Sequence, residues 1–269
     1  MTKSGTVRAG IGGWNFEPWE GTFYPDGLPK RRQLEYASSH LRTIEVNATY
    51  YGSQKPETFA KWAAETPDGF VFAMKGNRFV TNRKVLAEAG ESMARFFDQG
   101  IAELGSKLGP IVWQFAPTKK FEPTDFEGFL KLLPEKLAGL RLRHVLEVRN
   151  ATFFDPDFVA LARKYGAAIC YAHHHDYPEI ADVTADFVYA RLQKGEDTIP
   201  TAYSEADLDG WAAVAATWAA GGVAEGLPRA DPGHKPEKTP RDVFLYIIHE
   251  GKIRAPQGAM ALQSRVDAA

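Results

Sequence analysis

The chain has 269 residues, 44% of them hydrophobic and 12% aromatic, enough to bury a sizeable core as one domain. Its 32 basic and 34 acidic residues leave a formal charge of -2, which excludes a global field drawing nucleic acid or an anionic membrane; any such attraction must be local. The lone cysteine, Cys170, cannot form an internal disulfide, residues Met1 to Arg8 lack the apolar stretch of a signal peptide, and no run approaches the roughly 20 apolar residues of a membrane span, so a cytoplasmic location is expected.

In chain order the pattern predicts a strand over Val7–Gly12, a helix over Pro29–His40, a strand over Thr43–Asn47 and a helix over Pro56–Glu65. A strand over Phe70–Lys75, a helix over Ser92–Leu104, a strand over Ile111–Phe115 and a helix over Thr124–Leu133 follow. Next come strand His144–Arg149, helix Asp155–Tyr165, and strands Ala167–Tyr171 and Phe187–Leu192. The series ends on helix Ser204–Ala219, opened by a relative of the capping box, and strand Val243–His249. Such alternation favours the α/β class, as a single (β/α)8 TIM-type barrel over residues 1–269. Gly221–Arg241, rich in Gly, Pro and charge, reads as a flexible loop, either a flap or an insertion.

Parity within the strands locates the chemistry. Neighbouring residues point to opposite sides, and the helix-facing side of a barrel strand must be apolar. Ile44 and Val46 therefore leave Glu45 and Asn47 inside; Phe72 and Met74 leave Lys75 inside; Trp113 and Phe115 flank an interior Gln114. Leu146 and Val148 leave Glu147 and Arg149 inside, and the last two strands add Tyr189, Arg191 and His249. These groups lie near carboxyl ends, where barrel enzymes build their sites. A buried charge is costly unless paired or used. The functional reading is a pocket in which Lys75, Arg149 and Arg191 bind an anion while Glu45 or Glu147 moves a proton; the competing reading is a structural ion-pair network.

Trp14 and Trp19 after the first strand, and Tyr50 and Tyr51 after the second, could wall that pocket or merely pack. His173-His174-His175-Asp176 invites a Zn²⁺ or Mn²⁺ site, yet three nearby cations would oppose a divalent ion, so no metal is expected. Gly10-Ile-Gly12-Gly13 lacks the full dinucleotide fingerprint and there is no P-loop, so no cofactor is assigned and a tight turn accounts for the glycines.

Gly10-Ile-Gly-Gly-Trp14, Trp19-x-Gly-x-Phe-Tyr-Pro25, Glu45-Val-Asn47-x-Thr49-Tyr-Tyr51, Lys75, Leu108-Gly-Pro110 with Gln114, Glu147-Val-Arg149 and Ala185-Asp-Phe-Val-Tyr-x-Arg191 together resemble the YecE-like family. The resemblance covers nearly the whole chain. It implies a barrel related in architecture to the xylose-isomerase and endonuclease-IV group, and no established activity. Asn82, Ala116, Phe153 and His249 depart from the family pattern, where histidine, proline, tryptophan and asparagine are usual, which marks a divergent member.

The leading expectation is an enzyme on a small anionic, hydroxylated substrate such as a sugar phosphate or nucleotide. A nucleic-acid-binding or phosphodiester-cleaving protein is the alternative, with Arg83, Lys84, Lys119, Lys120, Arg141 and Arg143 as outer phosphate contacts. A third reading is a ligand sensor that binds without turnover.

Overall fold

The computed structural model describes residues 5–268, with the side chain of His249 outside them. Eight parallel strands close a barrel: β1 Val7–Gly12, β2 Thr43–Val46, β3 Val71–Lys75, β4 Leu108–Gln114, β5 His144–Glu147, β6 Ala168–His173, β7 Phe187–Lys194 and β8 Asp242–Glu250. Each pairs with its sequence neighbours, and β1 closes on β8 with Ile11 opposite Ile247.

The helices are α1 Gln33–His40, α2 Pro56–Glu65, α3 Gly90–Asp98, α4 Pro123–Leu130, α5 Pro156–Lys164, α6 Glu205–Ala219 and α7 Ala255–Ala268. Pro56, Pro123 and Pro156 open their helices, where a missing N–H costs nothing. Glu122, Asp155 and Ser204 accept from the first-turn amides of α4, α5 and α6. The strand expectations match to within a few residues. β7 runs on to Lys194 and so brings Gln193 into the barrel wall.

Parity holds in β2 to β7; in β8 the interior positions are Phe244, Tyr246 and Ile248, the opposite parity to that expected for His249, whose side chain lies outside the described residues. Ile44, Phe72, Ile111, Trp113, Leu146 and Ile247 belong to the apolar layer under the helices. Ala73, Val112, Val145, Cys170, Tyr189 and Tyr246 form a separate apolar cluster inside the barrel. Gly10 is required by a close approach rather than by a turn, since a Cβ there would stand 2.0 Å from the Thr43 carbonyl oxygen. The turn itself falls on Gly13, with φ +73°.

Two features were not anticipated. No helix separates β6 from β7 among the described residues. Instead Ile180, Ala181, Val183 and Thr184 are buried in extended chain, and the Thr184 hydroxyl donates to the Ala167 carbonyl while accepting from the Ile169 amide. Residues 221–241 lie against this connection: Ala230 and Asp231 donate their amides to the Asp182 carboxylate, Ala181 donates to the Pro228 carbonyl, and Arg163 pairs with Asp231 at 3.2 Å. The segment holds neither helix nor strand, and its hydrogen bonds run to this connection, to α5 and to the end of α6.

Candidate active site

The barrel interior is layered. At the amino ends of the strands, Asp242 pairs with Arg8 and Arg143. Above it stand Phe187, Tyr189, Phe244 and Tyr246. The third layer, at the carboxyl ends, is ionic. Arg191 Nη1 donates to Glu147 Oε1 at 2.6 Å and Nη2 to Glu45 Oε1 at 3.1 Å, so one guanidinium from β7 bridges carboxylates from β5 and β2. Tyr189 Oη donates to Glu45 Oε2 at 2.7 Å from the layer below. Arg149 reaches Glu147 Oε1 through Nε at 3.1 Å and Nη2 at 2.9 Å.

Gln114 links this network to the lysine. Its Nε2 donates to Glu147 Oε2 at 2.8 Å, and its Oε1 accepts from Lys75 Nζ at 3.2 Å. The amide orientation follows from charge, because the carboxylate can only accept and the ammonium can only donate. Lys75 Nζ also stands 4.4 Å from the centre of the Tyr50 ring. Lys75 forms no ion pair within 4 Å among the described residues, and a cavity of about 420 Å³ opens above it, lined in part by Glu45, Asn47, Arg149, Arg191, Gln193 and Lys252.

Environment separates these groups. Desolvation opposes the Glu147 charge, but Arg191, Arg149, Lys75 and the Gln114 hydrogen bond outweigh it and hold the carboxyl down at about 2, so this group is a fixed anion. On Lys75, desolvation and repulsion from Arg191 outweigh the attraction of Glu45 and Glu147 and lower the pKa to about 8. Burial and the Glu45 charge push the Tyr189 phenol far up, and burial does the same to the Cys170 thiol.

The signature of the family described as Protein of unknown function DUF72 matches residues 8–269. The chain belongs to the DUF72 family. It is 24% identical over 182 residues to the UPF0759 protein YunF of Bacillus subtilis (strain 168), a stretch covering 65% of this chain and 62% of YunF. It is 26% identical over 121 residues to the UPF0759 protein YecE of Escherichia coli (strain K12), covering 45% and 43%. The match therefore spans less than two thirds of either curated relative. A DUF72 protein (EF0366) of Enterococcus faecalis V583 superposes with a TM-score of 0.71 at 15% identity over 100% of both chains, a likeness of fold.

In this DUF72 barrel, Glu45, Asn47, Lys75, Gln114, Arg149 and Arg191 converge on the cavity as their parity indicates, with Glu147 beneath its floor. Trp19 is fully buried at the wall, its Nε1 donating to the Lys252 carbonyl at 2.9 Å. Tyr51 is 65% exposed at the rim. Trp14 faces away and packs edge-on to Trp62 and Phe72 in the helix-facing layer. Tyr189 is buried below, engaged by Glu45. The side chain of His249 lies outside the described residues.

Sequence reasoning missed Gln193 and Lys252. Gln193 shares the interior parity of Tyr189 and Arg191, and a strand one residue longer would have included it; Lys252 follows β8 in a one-turn helix that carries no such signal. A larger cleft of about 690 Å³ lies alongside, lined by Arg78, Arg83, Arg95 and Phe79; it holds Arg83 of the expected outer phosphate contacts and none of the expected barrel-interior residues. No group of three or more metal-ligating side chains assembles among the described residues, and no helix is long and apolar enough to cross a membrane.

Proposed function

We propose that the chain is an enzyme acting on a small anionic, hydroxylated substrate held at the carboxyl ends of the strands. One observation carries this reading: among the described residues Lys75, Arg149 and Arg191 face Glu45 and Glu147, three cations against two carboxylates, so a buried positive charge is left over beside an open cavity. An ammonium 6% exposed is costly unless an anion completes it. Lys252 at the rim adds to the attraction. Asn47 and Gln193 are neutral hydrogen-bonding groups for substrate hydroxyls.

The two carboxylates serve to fix the arginines, because every oxygen of Glu45 and Glu147 already accepts a hydrogen bond. Proton transfer then falls to Lys75, whose pKa is near the working range. Nucleic-acid binding is less well supported: Lys119, Arg141 and Arg143 are paired with Asp125, Asp186 and Asp242.

Calorimetric titration with inorganic phosphate, glucose 6-phosphate and glucose tests the reading. Both anions should bind and glucose should not, and Lys75→Met or Arg149→Met should weaken phosphate binding at least about tenfold, the loss of one charge-assisted contact. Anion binding that neither substitution changes, or none at all, overturns it.

A further inference from the structure

Among the described residues the cavity contains two amines, Lys75 in its floor and Lys252 at its rim, the latter seated 4.1 Å over the Phe16 ring, and no carboxylate oxygen free to act as a base. Cys170 faces the interior within the aromatic layer, below the reacting space. Lys75 Nζ, by contrast, borders the cavity and is held from two sides, by Gln114 Oε1 and by the Tyr50 ring. Gln114 cannot turn away without giving up Glu147. A neutral amine has two N–H groups and one lone pair. With the N–H groups occupied by the amide oxygen and the ring face, the lone pair is left for the cavity. In the same wall, Gln193 Nε2 and Arg191 Nε are buried donors with no acceptor among the described residues, which an oxygen-bearing ligand would satisfy.

We propose that Lys75 is a covalent nucleophile that forms an imine with a carbonyl-bearing anion, so that the substrate is a small aldehyde or ketone also carrying a phosphate or carboxylate. The inference rests on the anion-binding reading above and adds to it the bond that is made. The Lys75 lone pair attacks the carbonyl carbon and the C=O π pair moves to oxygen. A proton passes from nitrogen to that oxygen to give the carbinolamine. The C–O bond then breaks with a second proton and water leaves. Starting from the ammonium, the balance is one carbonyl in, one protonated imine and one water out, with no oxidant or reductant. The cationic imine keeps the charge of the ammonium it replaces, so Arg149 and Arg191 meet an unchanged field. The lowered pKa of Lys75 supplies free amine near neutrality, as lysine nucleophiles require.

The test incubates the whole protein with dihydroxyacetone phosphate or pyruvate, reduces with sodium borohydride, and maps the adduct by mass spectrometry, with phosphate affinity measured in parallel. One reduced adduct on Lys75 is expected, suppressed by excess inorganic phosphate, and absent in Lys75→Arg while phosphate still binds. The competition arm needs only the wild type, so a variant that fails to fold does not decide the matter. Gln114 is a positioning residue; Gln114→Met should slow trapping and move its pH midpoint. Phosphate binding without an adduct, or adducts only on surface lysines, overturns the imine and leaves the anion site standing. Neither binding nor adduct overturns both.

Discussion

The two ends of the barrel interior both carry charge, and they use it differently. At the amino ends, Asp242 lies between Arg8 and Arg143, whose guanidinium groups sit over the rings of Phe244 and Phe187; these side chains keep partial contact with solvent and close the barrel. At the carboxyl ends, Glu45, Glu147 and Arg191 are withdrawn from water, and a cavity stands over Lys75, a buried cation without a carboxylate partner among the described residues. Charge inside a barrel is therefore not by itself a site. What distinguishes the upper end is an imbalance next to empty space, where the lower end turns its excess onto aromatic faces and solvent.

That contrast predicts unequal costs of removing an arginine. Arg191→Met strands two buried carboxylates and should destabilise by about 3–5 kcal/mol, whereas Arg143→Met, at a partly exposed pair, should cost less than about 1 kcal/mol in urea unfolding. Equal losses would erase the distinction between the ends.

Acid sharpens it further. His144 lies in β5; Trp113 Nε1 donates to its Nδ1, so its Nε2 carries the proton and donates to the Pro134 carbonyl. Burial lowers its pKa from 6.5 to about 4. The unfolded chain takes up this proton first, so the contribution is complete above 6.5 and is lost as pH falls towards 4. Glu147 behaves likewise in the next window, its contribution complete above 4.5 and lost as pH falls through about 2. His144→Gln should flatten the upper window alone in a stability–pH profile.

Lys75 gives a comparable effect in the alkaline direction. Its folded value of about 8 lies below the ordinary 10.5, so the folded state sheds its proton first and stability rises relative to Lys75→Met as pH climbs through that interval. Chemical denaturation of both proteins from pH 7 upwards measures the difference, and parallel curves would mean that the amine is solvated after all.

Parity made most of the site legible, because an apolar helix-facing side forces the polar residues of the same strand inward, as at Glu45 between Ile44 and Val46. Roles were not legible. Glu147 reads as an acid–base group from its type, and only the convergence of Arg149, Arg191 and Gln114 from other strands turns it into a fixed anion. The helix-free connection after β6 was equally hidden, since covering β6 with extended chain depends on Asp182 meeting backbone amides nearly fifty residues later.

Closure of the barrel has a consequence for synthesis on the ribosome. Every cavity-floor charge comes from residues 45 to 191, yet the strand that seals the cylinder begins at Asp242, and α7 behind it supplies Gln263, which accepts from the Ala9 amide. Until those last segments emerge, β1 and β7 are open edges and the ionic cluster is assembled in contact with water. Addition of β8 and α7 therefore both dries the charges and joins β1 to α7, which couples desolvation of the site to a contact spanning 254 residues.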